Sequence, residues 1–516
     1  MLEELGKRKT YLTIAKLFEH WQRYQKNHSL FLNRLIDTDM KFFNTFKKVA
    51  LGVCLAIAST SCTDKFESLN TNPVAAATMD ASYLLTYNQL SVSGHTYEMW
   101  RGNLLHGMVW GQHLSTPWGT QTYVTSDGWG TAYWDMTYSK LVVNTQEIVR
   151  LTQKEAAKNA IIKAWKAYIF HRLTDFWGDV PYSEAGKGIA SGILQPKYDK
   201  QQDIYTSMLS DLKEAAATLS TAGNSYGAAD LIYKGDHAKW KKFANTLRLR
   251  LALHLIKVDE NLAKQHAVEA INGGLFDSNA DNAIMIHTKG DTYAAGTNGS
   301  SAPVSDYSFR GGVVLSSAFM RILNERNDPR LPIFALPNAA GKYVGAANGN
   351  VDAPRDPDTG SVPNYNTVFA QDANAYFLTY SEAMFLKAEA IQRGWVAGSA
   401  SNEYEKGVRA SLNQFGVKAT DAEAYLKNAN VVYDASKGLE QIITQKWIGL
   451  YTDGFEIFAE VRRSGFPKFL PNEINGVIPR RLKYPLSEQS LNKNSYTEAV
   501  SRQGADTETT KVWWDK

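Results

Sequence analysis

"EAAKNAIIKAWKAYIFHRLTDFWGDVPY", residues 155–182, sets the class of the fold. Ile161, Ala164, Trp165, Tyr168, Ile169, Leu173 and Phe176 recur at three- and four-residue spacing, which lines them along one face of a long helix. Gly178 and Pro181 end it. The same pattern predicts helices over 203–219, 239–258, 379–395 and 438–465. Between them run long stretches rich in Gly, Asn, Asp, Ser and Pro, chiefly 111–131, 272–312 and 338–374. The expected fold is therefore mainly α: helix pairs packed around a core, with long irregular loops and few short strands. Pairs such as 155–177 with 203–219 resemble tetratricopeptide stacking, without its strict 34-residue signature. Loops this long in a compact domain are usually functional or poorly ordered.

Outward from the helices, the N-terminal part reads differently. "MKFFNTFKKVALGVCLAIASTSC" (40–62) has a basic start at Lys41, Lys47 and Lys48, a ten-residue apolar run from Val49 to Ala58, and small residues before Cys62. That order is a secretory signal. The apolar run is about half the length a bilayer-spanning helix needs. A cysteine directly after the small residues is the lipobox pattern, in which the chain is cut before Cys62 and the new N-terminus is acylated. Residues 1–39 have no export logic and would bury the signal, so they read as a mis-assigned upstream start. The organisation expected is thus 1–39 upstream, 40–61 signal peptide and 62–516 one binding domain.

Cysteine count and charge follow from that reading. The cysteines are Cys54 and Cys62; the first leaves with the signal and the second carries lipid, so the exported chain has no disulfide and relies on its core. The 455 residues that remain are ample for one. The whole chain has 56 Lys+Arg and 52 Asp+Glu. Ten basic and five acidic residues lie in 1–61, leaving a near-neutral remainder of 46 and 47. No basic stripe remains that would bind nucleic acid.

Several motifs carry a family resemblance. They are "FWGDVPYSEA" (176–185), "WKKFANTLRLRLA" (240–252), "YFLTYSEAMFLKAEAIQRGW" (376–395) and "ITQKWIGLYTDGFEIFAEVRRSGFP" (443–467). "IPRRLKYPLSEQSLN" (478–492), "DTETTKVWWD" (506–515) and, after the lipobox, "CTDKFESLNTNP" (62–73) continue the series. Together, in this order, they resemble the SusD/RagB family of Bacteroidetes outer-membrane nutrient-binding lipoproteins, and the closing block resembles its second SusD-like branch. The resemblance implies a tetratricopeptide-like helical fold with a loop-rich ligand face and no catalysis. It implies a lipid-anchored protein of the cell's outer membrane that captures nutrient oligomers, glycans above all, as the lid of a SusC-type TonB-dependent transporter. A surface glycoside hydrolase and a peptide-binding or helical-repeat scaffold lipoprotein are the alternatives.

The residues narrow these readings. Asp179 in "FWGDVPYSEA" is expected to brace a tight turn rather than to join Asp175 and Glu184 around a metal. Glu456 and Glu460, four apart on one helix, point the same way and do not flank a glycosidic bond; an ion-paired helix face with Arg462 and Arg463 is expected. "GNSYG" (223–227) lacks the strand that a nucleophile elbow needs. No Walker, dinucleotide or His-Glu-x-x-His pattern occurs. The oxygen-rich "DSNADN" (277–282) and "DPDTG" (356–360) do not complete a calcium loop, so no cofactor is expected, with a structural calcium left open.

Aromatics are the stronger lead, because sugar rings stack their C–H faces on Trp and Tyr while polar neighbours bond the hydroxyls. "STPWGTQTYVTSDGWG" (115–130) places Trp118, Tyr123 and Trp129 in a polar, glycine-rich stretch without helical periodicity. A second loop, "GDTYAAGTNGSSAPVSDYSFRGG" (290–312), offers Tyr293, Asn298, Asp306, Tyr307 and Arg310. Trp165, Trp177, Trp240 and Trp447 are assigned to the core.

Overall fold

The computed structural model describes residues 79–93, 100–117, 120–221, 223–290, 312–349, 356 and 358–516. The leader with Cys62, and Trp118, Tyr293, Asn298, Asp306, Tyr307 and Arg310, lie outside the described residues.

The helices of eight residues or more are α1 (Ala81–Ser93), α2 (Asp127–Met136), α3 (Val143–Leu151), α4 (Ala156–Trp177), α5 (Gln201–Thr218), α6 (His237–His254) and α7 (Glu260–Gly273). They continue as α8 (Ser317–Glu325), α9 (Tyr380–Gln392), α10 (Ala400–Gln414), α11 (Ala419–Leu426), α12 (Gly438–Gly449), α13 (Gly454–Ser464) and α14 (Lys493–Gln503). A π-helical stretch, Trp100–Met108, precedes the first strand. The strands are short and pair antiparallel in twos: β1 (Leu114–Ser115) with β5 (Val314–Leu315), β2 (Val180–Pro181) with β3 (Tyr198–Asp199), β4 (Ala283–Met285) with β8 (Ala375–Leu378), and β6 (Ala335–Leu336) with β7 (Val362–Pro363). Two-stranded ribbons are not stable alone; here they tie loops to the helical body.

Helix starts follow from side-chain caps. Asp236, Asp259, Ser316, Thr379 and Ser399 each accept a backbone N–H of the first turn of α6, α7, α8, α9 and α10. α4 runs nearly as its periodicity predicts and ends at Gly178. From Ala167 onward every α4 residue is buried, so it is the central helix rather than a one-faced surface one. α4 packs on α5, α5 on α6 and α6 on α7; α9 packs on α10 and α12. Trp165, Trp177, Trp240 and Trp447 are all fully buried, as their helix-face positions predict.

The helix expected over 438–465 is two helices. The chain breaks at 450–453, where Asn103 holds the turn by donating to the Thr452 carbonyl at 2.8 Å and accepting from Gly454 N at 2.6 Å. A glycine is needed at 454 because α13 crosses the π-helical stretch backbone to backbone: a Cβ there would lie 2.5 Å from Asn103 O and Met108 N. No local pattern encodes that crossing. A second difference is α2, which starts inside the stretch read as loop. Gly128 and Gly130 hide its beginning, and its later residues Tyr133 and Trp134 are buried against Phe176, Trp177 and Phe455.

Charges occupy the centre of the helical body. Arg250 of α6 donates to both carboxylate oxygens of Glu382 of α9 at 2.6 and 2.5 Å, and lies 3.6 Å from Glu456 of α13. Lys446 of α12 pairs with Glu460 at 2.8 Å and Glu456 at 3.6 Å. Arg463 bridges Glu460 and Glu389, with four bonds of 2.7 to 2.8 Å. All of these side chains are buried. The ion pairing expected of Glu456 and Glu460 is thus present, with Arg463 on Glu460, but it lies inside the helical body. Arg462 does not pair with them; it donates to the carbonyls of Asp175 and Arg480 and stacks on Phe458 and Trp514. Asp175 accepts from Tyr205 at 2.5 Å and Trp514 at 2.8 Å and meets His171 at 3.2 Å, so the C-terminal Trp514 closes this core.

These pairings set the acid response. Burial alone raises each carboxyl, but the attraction of Arg463 brings Glu389 down to about 2, that of Arg463 and Lys446 lowers Glu460, and that of Arg250 and His254 holds Glu456 well below its ordinary range. Stability from depressed carboxyls is fully present above the unfolded value of 4.5 and is lost as pH falls through the folded value. Thermal melts followed by circular dichroism should therefore hold level near neutrality and collapse between pH 4.5 and about 2. Glu389→Gln should lower stability at pH 7 by about 3–5 kcal/mol and flatten the acid limb.

Candidate functional site

The candidate site is built on the turn that leaves the first helical stretch. The chain ends its helix at Trp110 with Gln112 in the left-handed region, φ 65°. Gln112 N donates to Val109 O at 3.1 Å and His113 N to Met108 O at 2.8 Å, the paired bonds of a Schellman stop with glutamine in place of the usual glycine. The Gln112 side chain occupies the turn, donating to Tyr123 Oη at 3.2 Å and accepting from Asn348 at 3.3 Å. His113 beyond it is buried, stacked on Phe319 at 4.2 Å and edge-on to Trp447 at 4.2 Å. Burial keeps its ring neutral, well below the ordinary histidine range.

From this turn β1 pairs with β5 in the register Leu114↔Leu315 and Ser115↔Val314. The antiparallel register sets the exit of β1 beside the entry of β5. The start of the stretch 115–130 therefore lies beside Val314, two residues beyond the end of the stretch 290–312. The third long stretch joins them. Ser317 N donates to Ala346 O, Ala346 N to Leu315 O, and Gly349 N to Gln121 O. Asn348 is fully buried and its Nδ2 lies 2.9 Å from Leu114 O and 3.2 Å from Val109 O. Gly349 must be glycine: it has φ 78°, and a Cβ would stand 1.8 Å from Asn475 O.

Of the candidate ligand residues, Tyr123 and Trp129 are described. Tyr123 is 8% exposed, with φ 65° and burial raising its phenol above the ordinary range; its ring faces Gly476. Trp129 sits half-buried in the first turn of α2, packed against the core. Next to them Val124 and Val477 stay exposed. The junction residues Gln112, Asn348 and Ser316 had no signal in the sequence, because they act through bonds to segments over two hundred residues away.

The other motifs resolve as structure. Asp179 accepts from Gln201 N at 2.9 Å, at the start of α5, and from Arg502; Glu184 accepts from Lys197 N, so Asp175, Asp179 and Glu184 do not converge. Asp356 spends its oxygens on Asp358 N, Thr359 N and the Thr359 hydroxyl, while Asp277 and Asp281 share Lys242. His254, Glu456 and Glu460 bring ligand atoms within 4.8 Å of one another, but the Lys446 ammonium already lies among them. The buried, cation-paired Glu456 and Glu460 are shut off from any substrate.

The family described as "Starch-binding associating with outer membrane", SusD-like_2, matches residues 73–485. The chain belongs to this SusD-like family. A chitin-binding protein of known structure is 34% identical, with TM-score 0.75, covering 84% of this chain and 100% of its own. A chitin-binding SusD homolog from Flavobacterium johnsoniae is 26% identical, TM-score 0.74, over 85% of this chain and 99% of that one. A SusD-like protein from Bacteroides thetaiotaomicron is 27% identical, TM-score 0.72, over 84% and 98%. A search of curated proteins returned no match. The SusD-like fold is thus mainly helical, and the family is one of binding proteins associated with the outer membrane. Among the described residues no helix is long and apolar enough to cross a membrane.

Asn348→Ala should loosen the junction without melting this SusD-like body. Removing a buried donor from two carbonyls costs about 1–3 kcal/mol. Hydrogen exchange should quicken at the amides of Leu315, Ser316 and Ala346 and stay slow along α4.

Proposed function

We propose that this protein is a non-catalytic, cell-surface binding lipoprotein that captures glycan oligomers and hands them to a SusC-type TonB-dependent transporter in the outer membrane. The observation that carries the proposal is the family match over 73–485 together with chitin-binding neighbours covered over their full length. The junction at which Asn348 and Gly349 tie the 338–374 stretch to the 111–131 stretch supports it: a rigid body presents loops, the usual division of labour in binding proteins. The lipobox at Cys62 supplies the anchor, and the transporter is the partner that the family implies.

Chitin and starch oligomers are the ligands to test first, by calorimetry on the purified protein with chitohexaose and maltohexaose. Trp118 and Trp129 make a graded prediction; Tyr123, buried with its hydroxyl on Gln112, is left out of the ligand set. Trp118→Ala or Trp129→Ala should weaken binding about three- to tenfold, the share that ring stacking contributes, with little change in melting temperature. Normal binding in both variants would move the site to Tyr293, Asn298, Tyr307 and Arg310. Binding of neither glycan, with peptides bound instead, would replace the ligand class.

The anchor has its own test. Labelled palmitate should enter the wild type, and Cys62→Ala should abolish labelling and release the protein from membranes. Label retained in that variant would remove the lipobox reading. From the intact membrane, mild detergent should co-purify a large β-barrel protein in near-equal amount.

A further inference from the structure

A cavity of 430 Å³ opens between the end of α10, the start of β8 and the break between α12 and α13. Its wall is made by Ile333, Val368, Asn374, Tyr376, Gln414 and Phe415. The volume falls in the range of about 300–1,000 Å³ typical of small-molecule sites. Among the described residues no Lys, Arg, His, Asp or Glu lines it.

Two rings form its sides. Tyr376 and Phe415 are half-buried, with centroids 6.2 Å apart and planes at 60°. Phe415 is fixed from behind, edge-on to the buried Phe334 at 4.7 Å. Beside the rings are amides and hydroxyls: Asn374, Gln414, Thr367 and Thr452. Gln414 Oε1 is buried without a hydrogen-bond partner, a costly state for an acceptor unless something donates to it. Thr452 is the second irregularity. It holds φ 88°, strained for a β-branched residue, and the Asn103 side chain keeps it there. Strain of this kind collects at ligand-holding sites. Flat apolar rings, uncharged polar groups and an unsatisfied acceptor together suit one chemistry: a neutral pyranose, whose C–H face stacks while its hydroxyl or acetamido N–H donates.

We infer that this cleft is a second binding site for a neutral saccharide unit, separate from the loop junction. The inference rests on the glycan-binding reading of the protein and adds a site to it on the helical body. The amide side chains of Gln414 and Asn374 bond the sugar's hydroxyls, and Tyr376 or Phe415 carries the ring. A longer oligomer would then meet the protein at two places, which raises its retention over that of a short one.

Methyl groups report on the two sites independently. Ile333 and Val368 line the cleft, whereas Val124 adjoins Tyr123 at the loop junction. The protein carrying labelled isoleucine and valine methyls is titrated with chitotriose, cellotriose and maltotriose. The expected result is saturable shifts at Ile333 and Val368 with at least one of the three sugars. Asn374→Ala and Gln414→Ala should each weaken that binding about three- to tenfold, leaving Val124 shifts unchanged. Shifts at Val124 alone would overturn the cleft site while leaving the glycan-binding function standing. Shifts at neither set would overturn the cleft site and count against neutral glycans as the protein's ligand. Should a variant melt early, hydrogen exchange at Asn374 and Gly416 in the wild type, slowed by the sugar or not, decides the same question.

Discussion

The structure depends on a lattice of buried charges. Arg250, Lys446 and Arg463 stand against Glu382, Glu389, Glu456 and Glu460 in a region closed to water. The four helices that carry them, α6, α9, α12 and α13, are spread over residues 237–464. Leaving one such charge unpaired costs several kcal/mol, so these helices have one mutual arrangement in which every carboxylate meets a cation. The lattice is not there for raw stability, which apolar side chains would supply at least as well. It fixes which helices meet and in what register. Glu382 shows the priority: three residues after the capping Thr379 it stands where a capping-box glutamate would bond back to the helix start, and instead its carboxylate goes to Arg250.

Around that lattice, aromatic rings carry rigidity outward. His113, Phe319, Tyr451, Phe334, Phe415 and Tyr376 follow one another in ring contact, with centroids 4.2 to 6.2 Å apart. The series begins under the loop junction and ends in the cleft. The loop junction and the cleft therefore rest on one packed interior. The close crossing at Gly454 adds to this, because backbones that touch leave no side chain to repack.

Legibility in the sequence followed local spacing. α4, α5, α6 and α9 were readable because their apolar residues recur at three- and four-residue intervals, although α4 is buried on every side from Ala167 onward. Trp165, Trp177, Trp240 and Trp447 were assigned to the core on the same ground. Where the environment is set from several sides, the pattern told less. Glu456 and Glu460 read as an ion-paired helix face, and only the arrival of Arg250, Lys446 and His254 from other helices makes them interior. α2 was hidden by two glycines at its start, although Tyr133 and Trp134 find full burial against α4. The aromatic stretch around Tyr123 was visible as unusual composition, but its ring turns inward because Gln112 and Gly476 receive it.

By itself, the amino-acid sequence determined the helical class, the apolar faces and the ordered set of family motifs. Each is local: periodicity, caps and short motifs are read within a few turns of chain. Tertiary structure alone decided the break at 450–453, the union of distant segments at Asn348, the pairing of the interior charges and the cleft beside Phe415. All four depend on contacts between residues far apart in the chain, whose free energy exists only once the segments have met.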